Sequence, residues 1–301
     1  MLKNFNYKVK KSEDCVLINI NNWVQYSPLE IQKMNGKTSI SYITEVLDIN
    51  YYTESFSSKP IQKGDTVLIS RVSAEVASMR GYDLGDGQKY YNIPITQVMG
   101  VFKEHKVNFE SLEMIFNKVL IEKLESSQSE VLLSPSSNDM IGKVLKIGTT
   151  GFTKDWKLKP LQVKLGDTII VKDNVTTEVR LNGRTYYAID ENNIVGIIRY
   201  GFSANAIKFI NESILMKPYY SPTVLNSKIL ISPNINYEDL DYSDIYNRDL
   251  FQIEYLDSSI EGLSKKDKVI AKRDFTSYVY LNQEKYFLLN GKEWIESKII
   301  E

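Results

Sequence analysis

Residues 157–199 constrain the fold more than any other part of this chain, because strand signals follow one another there without helical spacing. Gly166-Asp167 predicts a tight turn in which Gly takes a positive φ and Asp caps the local backbone. The β-branched run Thr168–Val171 predicts a mostly buried strand. Asn182-Gly183 is a strong hairpin signal, and Ile194–Ile198 is a closing apolar strand. The stretch therefore predicts an all-β barrel.

The same turn signal occurs twice more along the chain. Gly64-Asp65 precedes Gly166-Asp167, and Lys266-Asp267 follows it. A regular recurrence of this kind indicates repeated structural units, here with a period of about 100 residues. After each turn comes an aromatic strand, and the three are Tyr90–Ile93, Tyr186–Ile189 and Tyr286–Leu289.

These repeats predict three tandem barrel domains, at residues 1–105, 106–205 and 206–301. The connectors between them are expected to be short and helical. Asn108–Glu125 carries apolar residues at the 3.6-residue spacing of one helix face. Its second half can instead be the first strand of the second domain. Ser203–Ser213 is the second connector.

The first strand of each domain is predicted from a short apolar run. These runs are Cys15–Asn19, Val131–Pro135 and Ile229–Pro233. With this placement, only Ser136–Ile141 separates the first strand from the next one in the second domain. The first and third domains have long insertions at the corresponding place.

Composition excludes several classes of function. The formal net charge is −1, from 37 basic and 38 acidic residues, so the basic excess of a nucleic-acid-binding protein is missing. One cysteine allows no internal disulfide. No apolar run approaches the roughly 18 residues of a membrane span, so we expect no membrane partner.

Side chains suited to catalysis or metal binding are few. His105 is the one histidine and lies in a polar run, where we expect it to be solvated. Cys15 begins an apolar strand and is expected to be buried. Two such ligands are too few for a Cys/His metal site, and no phosphate-binding glycine loop is present. We therefore expect a non-enzymatic protein without cofactor or metal.

The order of these strands resembles the co-chaperonin family, with its GroES-like fold. The matching segments are Gly142–Gly148, Lys159–Val171 and Asn193–Ile198. The resemblance implies a small β-barrel and a chaperonin ring as partner, reached through a long mobile loop after the first strand. That loop ends in a short apolar motif in the family. The fold expected from residues and resemblance together is all-β, with three tandem GroES-like barrels and short helical connectors.

Two functions fit these expectations. Because the predicted second domain has no room for the docking loop, the first is a structural role, such as a phage head decoration or auxiliary capsid protein. It would bind capsid proteins or itself and be located in the virion after assembly in the host cytoplasm. Large apolar side chains in the two insertions are the candidate contacts. They are Trp23, Tyr26, Leu29 and Ile31 in the first, and Tyr237, Tyr242, Ile245 and Tyr246 in the third.

The alternative is a cytoplasmic co-chaperonin that caps a chaperonin ring. Against it, the resemblance implies rings of seven single barrels, which chains of three barrels cannot fill evenly. A domain of an alcohol-dehydrogenase-like enzyme, which shares the fold, is disfavoured because metal ligands and a dinucleotide-binding half are missing from the sequence.

Overall fold

The computed structural model describes most of the chain in separate stretches. These are residues 14–19, 39–51, 59–70, 82–83, 89–124, 140–152, 158–172, 176–199, 206–219, 250–271, 277–281 and 284–299. Within them, secondary structure consists of β-strands and short 3₁₀ turns, with no α-helix. The predicted all-β class is confirmed. In the same ranges, no helix is long and apolar enough to cross a membrane.

The described residues divide into two compact units, 14–194 and 195–299. Strands β1 to β14 belong to the first unit. They are β1 (Cys15–Asn19), β2 (Ser39–Asn50), β3 (Thr66–Ser70), β4 (Tyr82–Asp83), β5 (Lys89–Pro94), β6 (Val98–Phe102), β7 (Leu112–Met114), β8 (Lys118–Lys123), β9 (Met140–Ile147), β10 (Gly151–Phe152), β11 (Leu158–Lys159), β12 (Thr168–Val171), β13 (Thr177–Leu181) and β14 (Arg184–Asp190).

The second unit holds the remaining strands. They are β15 (Ile194–Ile198), β16 (Ile207–Phe209), β17 (Ser213–Pro218), β18 (Leu250–Leu256), β19 (Lys268–Ala271), β20 (Ser277–Leu281), β21 (Glu284–Asn290) and β22 (Ile295–Ile299). A 3₁₀ turn precedes β6, β15 and β22. The predicted division into three domains stays a prediction.

One antiparallel pairing scheme occurs three times in chain order. We call β1–β6 the first copy, β8–β15 the second and β17–β22 the third. In each copy the first strand pairs with the second strand and with the long arm of a later hairpin. The second strand also pairs with the strand that follows the repeated turn. The hairpins themselves are β4–β5, β13–β14 and β20–β21.

The repeated turn has the same hydrogen bonds in all three copies. In the second copy, Asp167 N–H donates to the Lys164 carbonyl at 3.2 Å, and Lys164 N–H donates to the Asp167 carboxylate at 2.8 Å. Gly166 N–H donates to the Val144 carbonyl at 2.9 Å, and Val144 N–H donates to the Asp167 carbonyl at 2.8 Å. The corresponding sets join Gln62, Gly64, Asp65 and Val46 in the first copy and Ser264, Lys266, Asp267 and Ile253 in the third.

Each of these turns is held against a β-bulge. The register of the first strand on the second shifts by one residue just after Val46, Val144 and Ile253. A bulge bends its strand and increases the local twist, which a small closed barrel requires. The turn and the bulge therefore form one repeated device for curving the sheet, and the predicted turns are confirmed.

Two other predictions in this region have different outcomes. The Asn182-Gly183 hairpin is confirmed, with φ values of 51° and 74° at its two central residues. The helix predicted for Asn108–Glu125 is wrong, because β7 and β8 occupy this range, and the alternative, a first strand in its second half, is confirmed by β8. Its apolar spacing arises from two short strands separated by a turn. In the second connector, β16 lies where a helical segment was expected, and β22 is the closing strand of the third copy.

Among the clusters of buried side chains in the described residues, three are large. The first lies inside the first copy and includes Val16, Ile18, Val67 and Ile93. The second, which we call the junction cluster, joins residues of the first and second copies. Its members are Ile43, Leu68, Met99, Phe102, Leu112, Met114, Leu120, Val179, Leu181, Tyr186 and Ala188. The third lies inside the third copy and includes Ile214, Phe251, Ile253 and Val269.

The backbone of the turn predicts the effect of a substitution at Gly166. Its φ is +84°, and no heavy atom lies within 4 Å of a Cβ built there. Backbone strain alone should therefore make Gly166→Val cost about 1–3 kcal/mol in free energy of unfolding. Urea unfolding of the purified chain measures this cost.

Leu165→Val is the matched control, because Leu165 is 63 % exposed in the same turn and is not among the residues with positive φ. The control should change the free energy of unfolding by less than about 0.5 kcal/mol. Equal effects of the two substitutions would contradict the assigned turn.

Candidate functional site

A long chain segment leaves each copy at the same topological position, between its first and second strands. The segments are residues 20–38, 124–139 and 219–249. Loops carry much of protein function when a rigid scaffold positions them. We call the places where they leave the barrel the three openings, and treat them as the candidate functional site.

In the second and third copies, the first and second strands stay paired up to the point where each segment leaves. In the second copy, Leu124 N–H donates to the Ile141 carbonyl at 2.9 Å, one pair beyond the last ladder pair. In the third copy, Tyr219 N–H donates to the Leu250 carbonyl at 2.9 Å in the same register. In the first copy, the Thr44 hydroxyl donates to the carbonyl of Asn19 at 3.1 Å. Both ends of each segment are thus anchored to adjacent, hydrogen-bonded strands.

The positions of β8 and β17 correct the predicted first strands. Val131–Pro135 and Ile229–Pro233 lie outside the described residues, and Lys118–Lys123 and Ser213–Pro218 are the first strands of the second and third copies. The sequence pattern favoured these two runs because each begins with three apolar residues, as strands often do. The second copy therefore does carry a long segment between its first two strands, and the predicted lack of room for a loop there is wrong.

Once the copies are aligned by their strands, the three segments share a sequence pattern. Each contains a triplet followed by Ser-Pro, and the first and third residues of each triplet are Val, Leu, Ile or Tyr. The triplets are Val24-Gln25-Tyr26, Val131-Leu132-Leu133 and Ile229-Leu230-Ile231. The third segment and the second have fully apolar triplets. In the first, Tyr26 is one of the residues predicted as protein contacts.

The predicted contact residues all lie outside the described residues. Trp23, Tyr26, Leu29 and Ile31 are in residues 20–38, and Tyr237, Tyr242, Ile245 and Tyr246 are in residues 220–249. Their role as contacts stays a prediction. Their positions in the sequence place them in the first and third segments.

Comparison with known proteins gives matches over the second copy. The family model of the chaperonin 10 Kd subunit matches residues 111–198, from just before β7 to the end of β15. The co-chaperonin GroES of Pelagibacter ubique (strain HTCC1062) is 32 % identical over 88 residues, which are 28 % of this chain and 92 % of the relative. The chain belongs to the 10 kDa chaperonin family.

Two further relatives match to similar extents. The mitochondrial 10 kDa chaperonin of Arabidopsis thaliana is 30 % identical over 87 residues, covering 28 % of this chain and 89 % of the relative. The co-chaperonin GroES of Lawsonia intracellularis is 31 % identical over 93 residues, covering 29 % and 92 %. Each relative is about as long as one copy, so the first and third copies are additional to the matched length.

A buried carboxylate secures the segment that leads into the turn of the second copy. Glu191 is fully buried, and its Oε1 accepts hydrogen bonds from the N–H groups of Gln162 and, at 3.3 Å, Val163. Its Oε2 lies 4.0 Å from Lys159 Nζ. A Cβ at Gly151 would lie 3.1 Å from this Oε2, so glycine leaves the space that the carboxylate occupies.

The first copy secures the equivalent segment with a phenol. The Tyr51 hydroxyl donates to the Ile61 carbonyl at 2.8 Å and accepts from Ile61 N–H at 2.9 Å. Burial raises the pKa of Tyr51 to about 12.

The sequence analysis did not single out Glu191, although a usable signal exists. An acidic residue stands at the position where the first copy has the buried Ile95.

The two residues predicted to be chemically inert lie as expected. His105 is exposed at the end of a 3₁₀ turn, with Nδ1 3.2 Å from the Thr66 hydroxyl. Cys15 is a buried thiol beside Leu17 and Tyr90. Within the part of the chain that the structure describes, no group of three or more His, Cys, Asp or Glu side chains could hold a metal ion.

Burial raises the pKa of Glu191. The hydrogen bond from Gln162 and the positive charge of Lys159 lower it, but burial is the larger effect. The native state therefore keeps this proton to a higher pH than the unfolded chain does. The contribution of Glu191 to the free energy of unfolding should fall as pH rises from about 4.3, the ordinary Glu value, through the raised pKa.

Glu191→Gln should remove this pH dependence while keeping an oxygen that accepts from Gln162 and Val163. Urea unfolding of both proteins between about pH 4 and pH 8 measures the difference. Identical slopes of unfolding free energy against pH in the two proteins would contradict the assignment.

Proposed function

We propose that this protein is a co-chaperonin that binds a chaperonin ring through the segments at its three openings, without catalysing a reaction. The observation that carries the proposal is the apolar triplet Val131-Leu132-Leu133. It lies between the first and second strands of the copy that matches the family, where the resemblance puts the docking loop. The names of the relatives, co-chaperonin and 10 kDa chaperonin, support the same partner.

The sequence around the triplet suits docking. Residues 125–130 and 134–139 are mostly Ser, Glu, Gln, Asn and Asp, so a short apolar group is flanked by polar chain. An extended apolar segment that enters a groove on a partner gains binding free energy from the area it removes from water. Polar flanks keep the free protein soluble and confine the contact to the triplet.

Repetition of the triplet strengthens the proposal over a single match. Ile229-Leu230-Ile231 repeats the apolar pattern and is also followed by Ser-Pro. Its segment again leaves between the first two strands of a copy. A sequence kept at the same topological place in two copies fits a shared contact with equivalent sites on the partner.

The experiment replaces Val131-Leu132-Leu133 and Ile229-Leu230-Ile231 by Ser triplets, singly and together. Binding to a purified chaperonin ring in the presence of ATP and stimulation of substrate refolding are measured. Each single replacement should weaken binding by about tenfold or more, and the combined variant should lose binding and refolding. Ser136-Ser137-Asn138→Ala-Ala-Ala is the matched control in the same segment and should leave both unchanged.

Two outcomes would overturn the proposal. One is unchanged chaperonin binding in the combined variant. The other is a wild-type protein that never binds a chaperonin ring but copurifies with phage particles from infected cells. The second outcome would favour the head-decoration role, for which the eight predicted contact residues are the candidate contacts.

A further inference from the structure

In the second copy, a row of side chains across three neighbouring strands holds a buried positive charge. Lys118 of β8 lies opposite Asp190 of β14. On its other side, the Lys118 carbonyl accepts from the N–H of Gly148, just after β9, at 2.8 Å. Lys118 is 5 % exposed, and its ammonium pairs with the Asp190 carboxylate. The chain thus supplies the cation of this row itself.

The third copy has the same row with different side chains. Ser213 of β17 lies opposite Asn290 of β21, and its carbonyl accepts from Asp257 N–H at 2.9 Å. Ser213 therefore takes the position of Lys118. Residues that lie directly opposite one another on adjacent strands point to the same face. The Ser213 side chain consequently lies between those of Asn290 and Asp257.

Two buried oxygen-bearing groups of this row call for a positive partner. Ser213 is fully buried, and its Oγ has no hydrogen-bond partner among the described residues. Asp257 is 5 % exposed, and its carboxylate accepts from the N–H groups of Glu212 at 2.9 Å and Ser259 at 3.0 Å. No Lys, Arg or His of the described stretches pairs with it. Buried charges in proteins are normally paired with an opposite charge or coordinate a metal ion.

The donors that this row offers are oxygens. Besides Ser213 and Asp257, the row contains Asn290, whose amide Nδ2 donates to the Asn211 carbonyl at 3.4 Å and whose amide oxygen is neutral. Carboxylate, hydroxyl and amide oxygens are ligands of hard cations. One carboxylate among neutral oxygens balances a single positive charge, which is the charge that Lys118 supplies in the second copy.

We propose that the third copy binds a monovalent cation of ammonium size, potassium, between Ser213 and Asp257, in the place that the Lys118 ammonium takes in the second copy. The ion neutralises the Asp257 carboxylate and is the partner of the Ser213 hydroxyl. Because Ser213 begins β17 and Asn290 ends β21, the ion joins neighbouring strands and stabilises the barrel. This inference does not depend on the binding of a chaperonin.

The test compares potassium chloride with tetramethylammonium chloride at equal ionic strength, because tetramethylammonium is too large for the row. Calorimetry of the full chain measures the midpoint of thermal unfolding. The midpoint should be higher in potassium by about 4 °C or more, and it should rise with the logarithm of the potassium concentration. Asp257→Asn keeps an oxygen for the two N–H donors but removes the charge, so it should abolish the difference between the salts.

A second variant imitates the second copy. Ser213→Lys combined with Asn290→Asp installs the ion pair of Lys118 and Asp190, so the midpoint should become the same in both salts. Ser258→Ala, an exposed change next to Asp257, is the matched control and should keep the full response to potassium.

Three outcomes would count against the proposal. Equal wild-type midpoints in the two salts at every concentration would overturn it, since a water molecule would then suffice as the partner of Ser213. Stabilisation by calcium but not by potassium would overturn the monovalent assignment. A response to potassium that is as large in Asp257→Asn as in the wild type would place the ion elsewhere and overturn the site.

Discussion

The clamp between the repeated turn and the bulge of the second strand is the constraint on which each barrel depends. In every copy the turn aspartate accepts a backbone N–H with its carboxylate, and its own carbonyl accepts from the residue before the bulge. Buried backbone groups need such partners, since an unpaired one costs about 1–3 kcal/mol. The third copy keeps the clamp although Lys266, at φ 76°, replaces glycine. The same hydrogen bonds form in three different sequences, one of them without glycine. The hydrogen bonds, rather than the glycine, therefore define the turn.

The sequence predicted the elements whose signals are local. The turn at Gly166-Asp167, the hairpin at Asn182-Gly183 and β12 depend on residues next to one another, and all three are confirmed. For the first strand of the second copy the sequence left two positions open, Val131–Pro135 and the second half of Asn108–Glu125, because the identity of this strand depends on pairing with a distant strand. Val131–Pro135 and Lys118–Lys123 both contain an apolar run suited to a strand. Lys118–Lys123 is identified as the first strand by its pairing with β9 and β14.

The same limit explains what was missed at the site. Two strands separated by a turn can reproduce the spacing of a helix face, so residues 108–125 carried a helical pattern without helical structure. Glu191 gives no signal by itself, because its burial depends on Gly151 and on the backbone at Gln162, which come from other parts of the chain. By contrast, the position of the segment after the first strand depends on the order of the strands along the chain. The repeats in the sequence reveal that order.

Fusion of the copies in one chain holds the segments at two openings close together. The first and second copies share the junction cluster, and β2 pairs in parallel with β13 at the point where residues 20–38 end. Two openings are therefore fixed to one compact unit. When one segment binds a partner with repeated sites, the other is held at an effective concentration in the millimolar range if it can reach a neighbouring site. If the triplets bind as proposed, individually weak triplets can together give firm binding, and the first need not bind alone despite the polar Gln25 at its centre.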